Sequence, residues 1–372
     1  MNHVECPSRP VPAPTIPIVA WRRMALLLVA AMATVVAACG SEGGASGSTT
    51  DESAPTTRAV AGAEDSSDGS TPDDSEGTSG VPAGMWIAVA SGFTPEGTLT
   101  GAIHTSSDGV TWTKAQNAPP LEGVAEHDGV AVAVGTQISA DGTSSSGVVV
   151  VSEDGSTWSS PIEVPDELTG VTFAFGRWIA VGNTAASPDS FESDGVVYES
   201  ADARTWTRSA TIPGEADDYS GLRLGDISSD GTTALVGGSW CAGDSCVYEQ
   251  FRSSDGTTWD RQPDRGLAGA VTAFGGAGWG MVASSGNDLA GYGSVAGISA
   301  DGQGWELSPT DSSNVVLNAL ASTPDGWAGA DQGVLMGDAT TGIWSSTDLV
   351  VWARTSEVAD AVSGLVVAGT AG

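Results

Sequence analysis

Six aspartates stand in one repeated setting, Ser-x-Asp-x-x-x-Trp: Asp108, Asp154, Asp202, Asp255, Asp301 and Asp348. A recurring carboxylate can ligate a cation, move a proton or accept hydrogen bonds from its own backbone, and the spacing separates these uses. A metal site or an acid pair needs several such groups within a few ångströms. One aspartate per copy, with consecutive copies 46, 48, 53, 46 and 47 residues apart, does not supply that. A Ser and an Asp two residues apart can instead take the N–H groups of a tight turn. Glycine at the fourth position (Gly109, Gly155, Gly256 and Gly302) tolerates a positive φ there. The third and sixth copies carry Ala203 and Leu349 at that position, so those two turns are expected to be less regular. No phosphate-cradling loop, Ser-His-Asp order or Cys-His pair is visible, and carboxylates are so numerous that a glycosidase-type acid pair is not a specific signal.

The spacing is that of a four-stranded propeller blade. Each motif joins a third strand to an outer fourth strand. Next come an inner strand such as Leu121-Glu122-Gly123-Val124, a short turn such as Asp128-Gly129, and a second strand such as Val130-Ala131-Val132-Ala133-Val134. The first recognisable strand, Trp86 to Ala90, has no inner strand before it, while Val362 to Ala368 is an inner strand with no blade after it. The C-terminal strand is therefore expected to complete the first blade and remove an open edge. The predicted fold is all-β, a six-bladed β-propeller of four-stranded antiparallel blades, closed by the C-terminal strand.

The motif and its spacing resemble the Asp-box, or bacterial neuraminidase repeat, over residues 84 to 372. That repeat is known from sialidases, sortilin-type receptors, xyloglucan-degrading hydrolases and photosystem II assembly factors, which share the blade and not the chemistry. The resemblance implies ligands on the face opposite the boxes, around the axis. There the sequence offers Asp189, Phe191, Glu192, Asp194, Trp240 and Tyr292. A sialidase would need a tyrosine nucleophile, carboxylic acids and three arginines. The nearest set is Tyr219 with Glu215, Asp217 and Asp218 and Arg223, Arg261 and Arg265, with Arg223 between two leucines on an inner strand reading more simply as a paired structural charge. The family's early Arg-Ile-Pro motif is absent. The expected function is a binding or scaffold module for a protein or glycan, with a sialidase-like or other glycoside hydrolase as the alternative. No cofactor and no metal are expected.

Arg22-Arg23 precede an apolar run that ends in Val36-Ala37-Ala38-Cys39, which resembles a bacterial lipobox with Cys39 as the lipidated residue. A plain signal peptide and a single membrane anchor are the competing readings. Residues 1 to 38 thus read as signal peptide, 39 to 83 as the lipidated cysteine with an acidic Ser/Gly/Thr-rich disordered linker, and 84 to 372 as the propeller. The expected location is the extracytoplasmic face of a bacterial membrane, as a monomer. Export suits a disulfide between Cys241 and Cys246. The chain has 46 acidic and 13 basic residues, a formal charge of −33, which disfavours nucleic acid and direct adsorption to anionic lipid.

Overall fold

The structure is a computed structural model that describes residues 80–93, 98–185, 193–214, 221–242, 245–262, 267–275, 278–285, 294–310, 316–331 and 340–370. The signal assignment, Cys39 and linker residues 39 to 79 lie outside these residues, whereas 80 to 83, assigned to the linker from sequence, are described. The described residues contain twenty-four strands and no helix, so no helix is long and apolar enough to cross a membrane.

The strands form six antiparallel sheets of four. Blade one holds β1 (Trp86–Phe93), β2 (Leu99–Ser106) and β3 (Thr113–Ala118). Blade two holds β4 (Gly123–His127), β5 (Val130–Ile138), β6 (Ser145–Ser152) and β7 (Ile162–Val164). Blade three holds β8 (Glu167–Ala174), β9 (Arg177–Asn183), β10 (Gly195–Ser200) and β11 (Thr207–Ile212). Blade four holds β12 (Arg223–Ser229), β13 (Ala234–Ala242), β14 (Ser245–Ser253) and β15 (Asp260–Arg261). Blade five holds β16 (Leu267–Gly275), β17 (Gly278–Ser285), β18 (Ser294–Ser299) and β19 (Glu306–Pro309). Blade six holds β20 (Leu317–Thr323), β21 (Gly326–Asp331), β22 (Thr341–Ser346) and β23 (Ala353–Val358). The last strand, β24 (Val362–Val367), returns to pair with β1 and supplies the inner strand of blade one. The chain is a six-bladed β-propeller closed by its C-terminal strand.

The core lies between blades, which explains why the second strands are apolar throughout. In β5, Val132 and Val134 face blade three, while Ala131 and Ala133 face blade one. A sheet covered on both faces has no polar side to alternate. The Asp128-Gly129 turn has φ of 49° and 79°, the left-handed pair that a two-residue hairpin requires. Residues 80 to 85 also belong to the propeller. Val81 is buried in the core between blades one and two, and its N–H donates to the Gly129 carbonyl at 2.8 Å.

Candidate functional site

The six boxes repeat one hydrogen-bonded turn. In every copy the aspartate Oδ1 accepts the backbone N–H groups two and three residues ahead, at 2.6 to 3.0 Å. These N–H groups hold the carboxyls of Asp108 and Asp202 down at about 2, and lower those of Asp154, Asp255, Asp301 and Asp348. Such groups are fixed acceptors and poor proton donors.

The third and sixth boxes are less regular in one respect, as expected: the serine Oγ that accepts the N–H of Gly109, Gly155, Gly256 and Gly302 takes no such bond from Ala203 or Leu349, whose carbonyls instead accept Trp206 and Trp352 Nε1. Ala203 and Leu349 take φ of 59° and 65°, close to the 69° to 77° of the four glycines, and the aspartate bonds are intact. Both side chains are buried in the neighbouring core, and that packing offsets the strain of a left-handed conformation. The same pair of aspartate bonds recurs at Asp230, where no tryptophan follows, so it belongs to local sequence alone.

The residues expected around a sialidase-like centre do not come together among the described residues. Glu215, Asp217, Asp218, Tyr219 and Arg265 lie outside the described residues, as do Asp189, Phe191, Glu192 and Tyr292. Arg223 Nη1 lies 3.3 Å from Glu167 Oε2 across blades three and four. Arg261 sits on the outer strand β15, rather than in the following loop, and pairs with Glu249. Asp194 Oδ1 accepts the Gly214 N–H at 3.0 Å, fixing one loop to the next. Trp240 lies on β13, with only its backbone described. Cys241 and Cys246 face each other directly across β13 and β14, and their side chains lie outside the described residues. A Tyr–acid–Arg set does occur at Tyr198, whose hydroxyl donates to Asp166 at 2.7 Å beside Arg208. Burial pushes that phenol up to about 12, which makes it a structural hydrogen-bond donor.

The axis presents a second sixfold feature. Each inner strand carries a β-bulge: Ser363 in β24, Thr169 in β8, Gly225–Asp226 in β12, Gly269–Ala270 in β16 and Asn318 in β20. At the entrance to β4, Glu122 and Gly123 both oppose Val134 in the same way. A bulge turns its extra residue out of the ladder and re-aims its side chain. Three of these residues tie their blade to the next one. Ser363 donates to the Leu121 carbonyl (3.0 Å), Thr169 to the Gly225 carbonyl (3.0 Å) and Asn318 to the Val362 carbonyl (3.2 Å). The corresponding carbonyl for blade two is that of Leu168, and it is taken by Thr136 at 3.3 Å from the second strand.

Glu122 makes no such staple among the described residues. Its carboxyl has no hydrogen-bond partner among the described residues, and Asp226 accepts only the N–H of its own neighbour Ile227, at 2.8 Å. Both residues are half-buried where the inner strands of neighbouring blades meet. Burial, reinforced by the Glu167 charge and opposed by Arg223, pushes Glu122 up to about 7. Burial alone pushes Asp226 up to about 7, against its Ile227 hydrogen bond. The candidate site is this pair with the Arg223–Glu167 bridge, near the mouth opposite the boxes.

Sequence reasoning passed over both acids because each looks like one more carboxylate in an acidic chain. The signal was available in the aligned inner strands: Leu168-Thr169-Gly170-Val171, Val362-Ser363-Gly364-Leu365 and Leu317-Asn318-Ala319-Leu320 carry a stapling side chain where Leu121-Glu122-Gly123-Val124 carries an acid.

No known family model matches the chain, and no curated protein is recognisably related in sequence. Among solved structures, the periplasmic gluconolactonase of Pseudomonas aeruginosa is similar at 10% identity and a TM-score of 0.48, over 75% of this chain and 98% of that one. The α-L-arabinofuranosidase of Fusarium graminearum is similar at 14% identity and a TM-score of 0.46, over 67% and 88%. The α-L-arabinanase of Penicillium chrysogenum is similar at 14% and 0.44, over 68% and 92%. Likeness of this degree decides neither reaction nor ligand.

Proposed function

We propose that this chain is a membrane-anchored, extracytoplasmic binding or scaffold module whose ligand, a glycan or a protein, docks on the face opposite the boxes, over the mouth of the axial channel. The observation that carries the reading is the division of labour among the inner-strand bulges. Three polar side chains join neighbouring blades, whereas Glu122 and Asp226 join nothing. Half-buried carboxyls without a structural role are a functional-site signature. Anchoring rests on the lipobox at Cys39 and on the Ser/Gly/Thr-rich stretch after it. Cys39→Ala should abolish lipid labelling and release the protein from membranes; unchanged attachment would refute the anchor.

The docking surface is tested by affinity capture from the native envelope with the full chain. Capture should be lost in E122A/D226A and kept in a box-face control, V110S/V351S, at exposed valines. The reverse pattern would move the working surface to the boxes.

A glycoside hydrolase is the second reading, favoured by two carboxyls that hold their protons to about 7, a condition for general-acid catalysis near neutrality. Release of reducing ends by the wild type, abolished by E122Q or D226N with binding retained, would establish it over the first.

A further inference from the structure

The chain enters the propeller on the box face. Trp86 stands opposite Ser106 of the first box and, on its other side, opposite Val367, so the start of β1, the boxes and the end of β24 share one end of the blades. The Asp128-Gly129 turn lies at that end too, because Ala131 just after it stands opposite Ser152 of the second box. Residues 80 to 85 are fixed there. The Val81 N–H donates to the Gly129 carbonyl, the Gly84 N–H to the Ala368 carbonyl and the Ala368 N–H to the Met85 carbonyl, each at 2.8 Å. Val81 is buried, and Met85 Sδ fills the space over Gly155 of the second box, where a Cβ would lie 2.3 Å from it. Glu126 accepts the Gly129 N–H with one oxygen and the Gly369 N–H with the other, both at 2.7 Å, which ties this hairpin to the C-terminal turn beside the strap. The strap is held as far as Gly80, whose α-carbon would lie 3.0 Å from a Cβ on Gly129.

Resting on the reading of Cys39 as a lipidated anchor, we infer that the box face is turned to the membrane and the face opposite the boxes to the exterior, so that the ligand reaches its docking face from the side away from the lipid. Lengths decide the orientation. Forty residues, 40 to 79, separate Cys39 from Gly80. With the boxes towards the lipid, that segment runs straight from the anchor to the strap. With the opposite face towards the lipid, it has to pass the rim of the ring and the height of a blade. An eight-residue strand such as β1 is ~27 Å long, and three strand spacings from inner to outer strand add ~14 Å. The segment is long enough for that detour, but a chain held to a longer path gives up conformations, and the direct path costs none. Adhesion does not override the tether, because a chain of charge −33 is repelled by anionic lipid whichever face approaches it.

The lipidated full chain is placed on vesicles of phosphatidylcholine and phosphatidylglycerol that carry an acceptor-labelled lipid, with a donor dye on one introduced cysteine in a C241S/C246S background. The exposed Val110 and Val351 serve as box-face positions, V110C and V351C. The exposed Ile138 and Thr100 serve as positions at the other end of the blades, I138C and T100C, since they stand opposite Ser145 and Gly92. Energy transfer to the lipid should be greater from the box-face pair. Deleting residues 43 to 76 leaves six residues between Cys39 and Gly80. That reach of at most ~25 Å is shorter than the height of one blade, so transfer should then differ between the faces by about twofold or more. Equal or reversed transfer in the shortened chain, with the protein still on the vesicles, overturns the orientation and leaves the anchor standing. Attachment that survives in C39A overturns the anchor, and with it the orientation drawn from the tether. Calorimetric melting of each labelled protein near the temperature of the parent secures that the strap and the propeller are intact in the comparison.

Discussion

The box face and the axial bulges are both sixfold features of one repeat, and they differ in how evenly they are used. The boxes share one turn and its two backbone bonds to the aspartate, even where Ala203 and Leu349 replace glycine. The bulges share a backbone shape but differ in what they do, for Ser363, Thr169 and Asn318 staple neighbouring strands, while Glu122 and Asp226 do not. A feature that holds six blades in register has to be repeated in each, whereas a ligand that lies across the axis meets each blade once. Uniformity marks the scaffold, and departure from uniformity marks the site.

The largest effect should come from removing the inner strand that closes the ring. Truncation after Ala361 deletes the buried Val362, Leu365 and Val367 and the Ser363 staple, and exposes the edge of β1. Each buried aliphatic side chain contributes roughly 1.5 to 3 kcal/mol, so the loss is comparable with the net stability of a domain. The fragment should aggregate or melt far below the parent in calorimetry. An unchanged melting temperature would mean that the ring closes without β24.

Glu122 and Asp226 should show the opposite sign from the boxes. They release their protons near 7 in the folded state and near 4.5 and 3.8 in the unfolded chain, so between those values the folded state binds more protons. Stability must therefore fall as pH rises from about 4 to about 7. E122Q and D226N should remove that decline, recovering at most on the order of 3 and 4 kcal/mol respectively at pH 8, less wherever water reaches these half-buried groups. Chemical denaturation at pH 4, 6 and 8 reads this directly, and variants with the wild-type slope would refute enclosed acids at the axis. The box aspartates act in reverse. Their lowered values make stability that is present above about 3.8 and lost as pH falls through about 2.

Within a box, the serine should matter more than the aspartate. Ser152 is buried, and its Oγ accepts the buried Gly155 N–H at 2.9 Å, so Ser152→Ala strands that donor at a cost of about 1 to 3 kcal/mol. The N–H groups bonded to Asp154 are exposed, and water replaces the carboxylate, so Asp154→Ala should cost less. Equal losses would show that the aspartate has a role besides its turn.

The smallest effect is a gain. Trp112 Nε1 donates to Ser356 Oγ on the outer strand of the preceding blade, at 3.0 Å, while the buried Trp259 Nε1 has no partner. Ala210 holds the place on β11 that Ser356 holds on β23, as the register shifts after Val197 and Ile343 show. Ala210→Ser should supply the missing acceptor and stabilise by about 0.5 to 1.5 kcal/mol. A neutral or lower melting temperature would mean that the two junctions are not equivalent.

The repeat, the strand order and the C-terminal closure were legible in the residues because each depends on local pattern. Turn chemistry, alternation and an unpaired first strand act over a few residues and recur six times, so the copies reinforce one another. The acids at the axis were not legible in the same way. Glu122 and Asp226 are separated by more than a hundred residues of chain, and nothing in their immediate neighbours marks them. Their properties come from burial where inner strands meet and, for Glu122, from the Glu167 charge on the next blade. Desolvation depends on the atoms that surround a group in space, and closing the ring is what brings them there. The pairing of Arg223 with Glu167 and of Arg261 with Glu249 has the same origin: charge is written in the sequence, and which charges neutralise one another is decided when blades and strands pack.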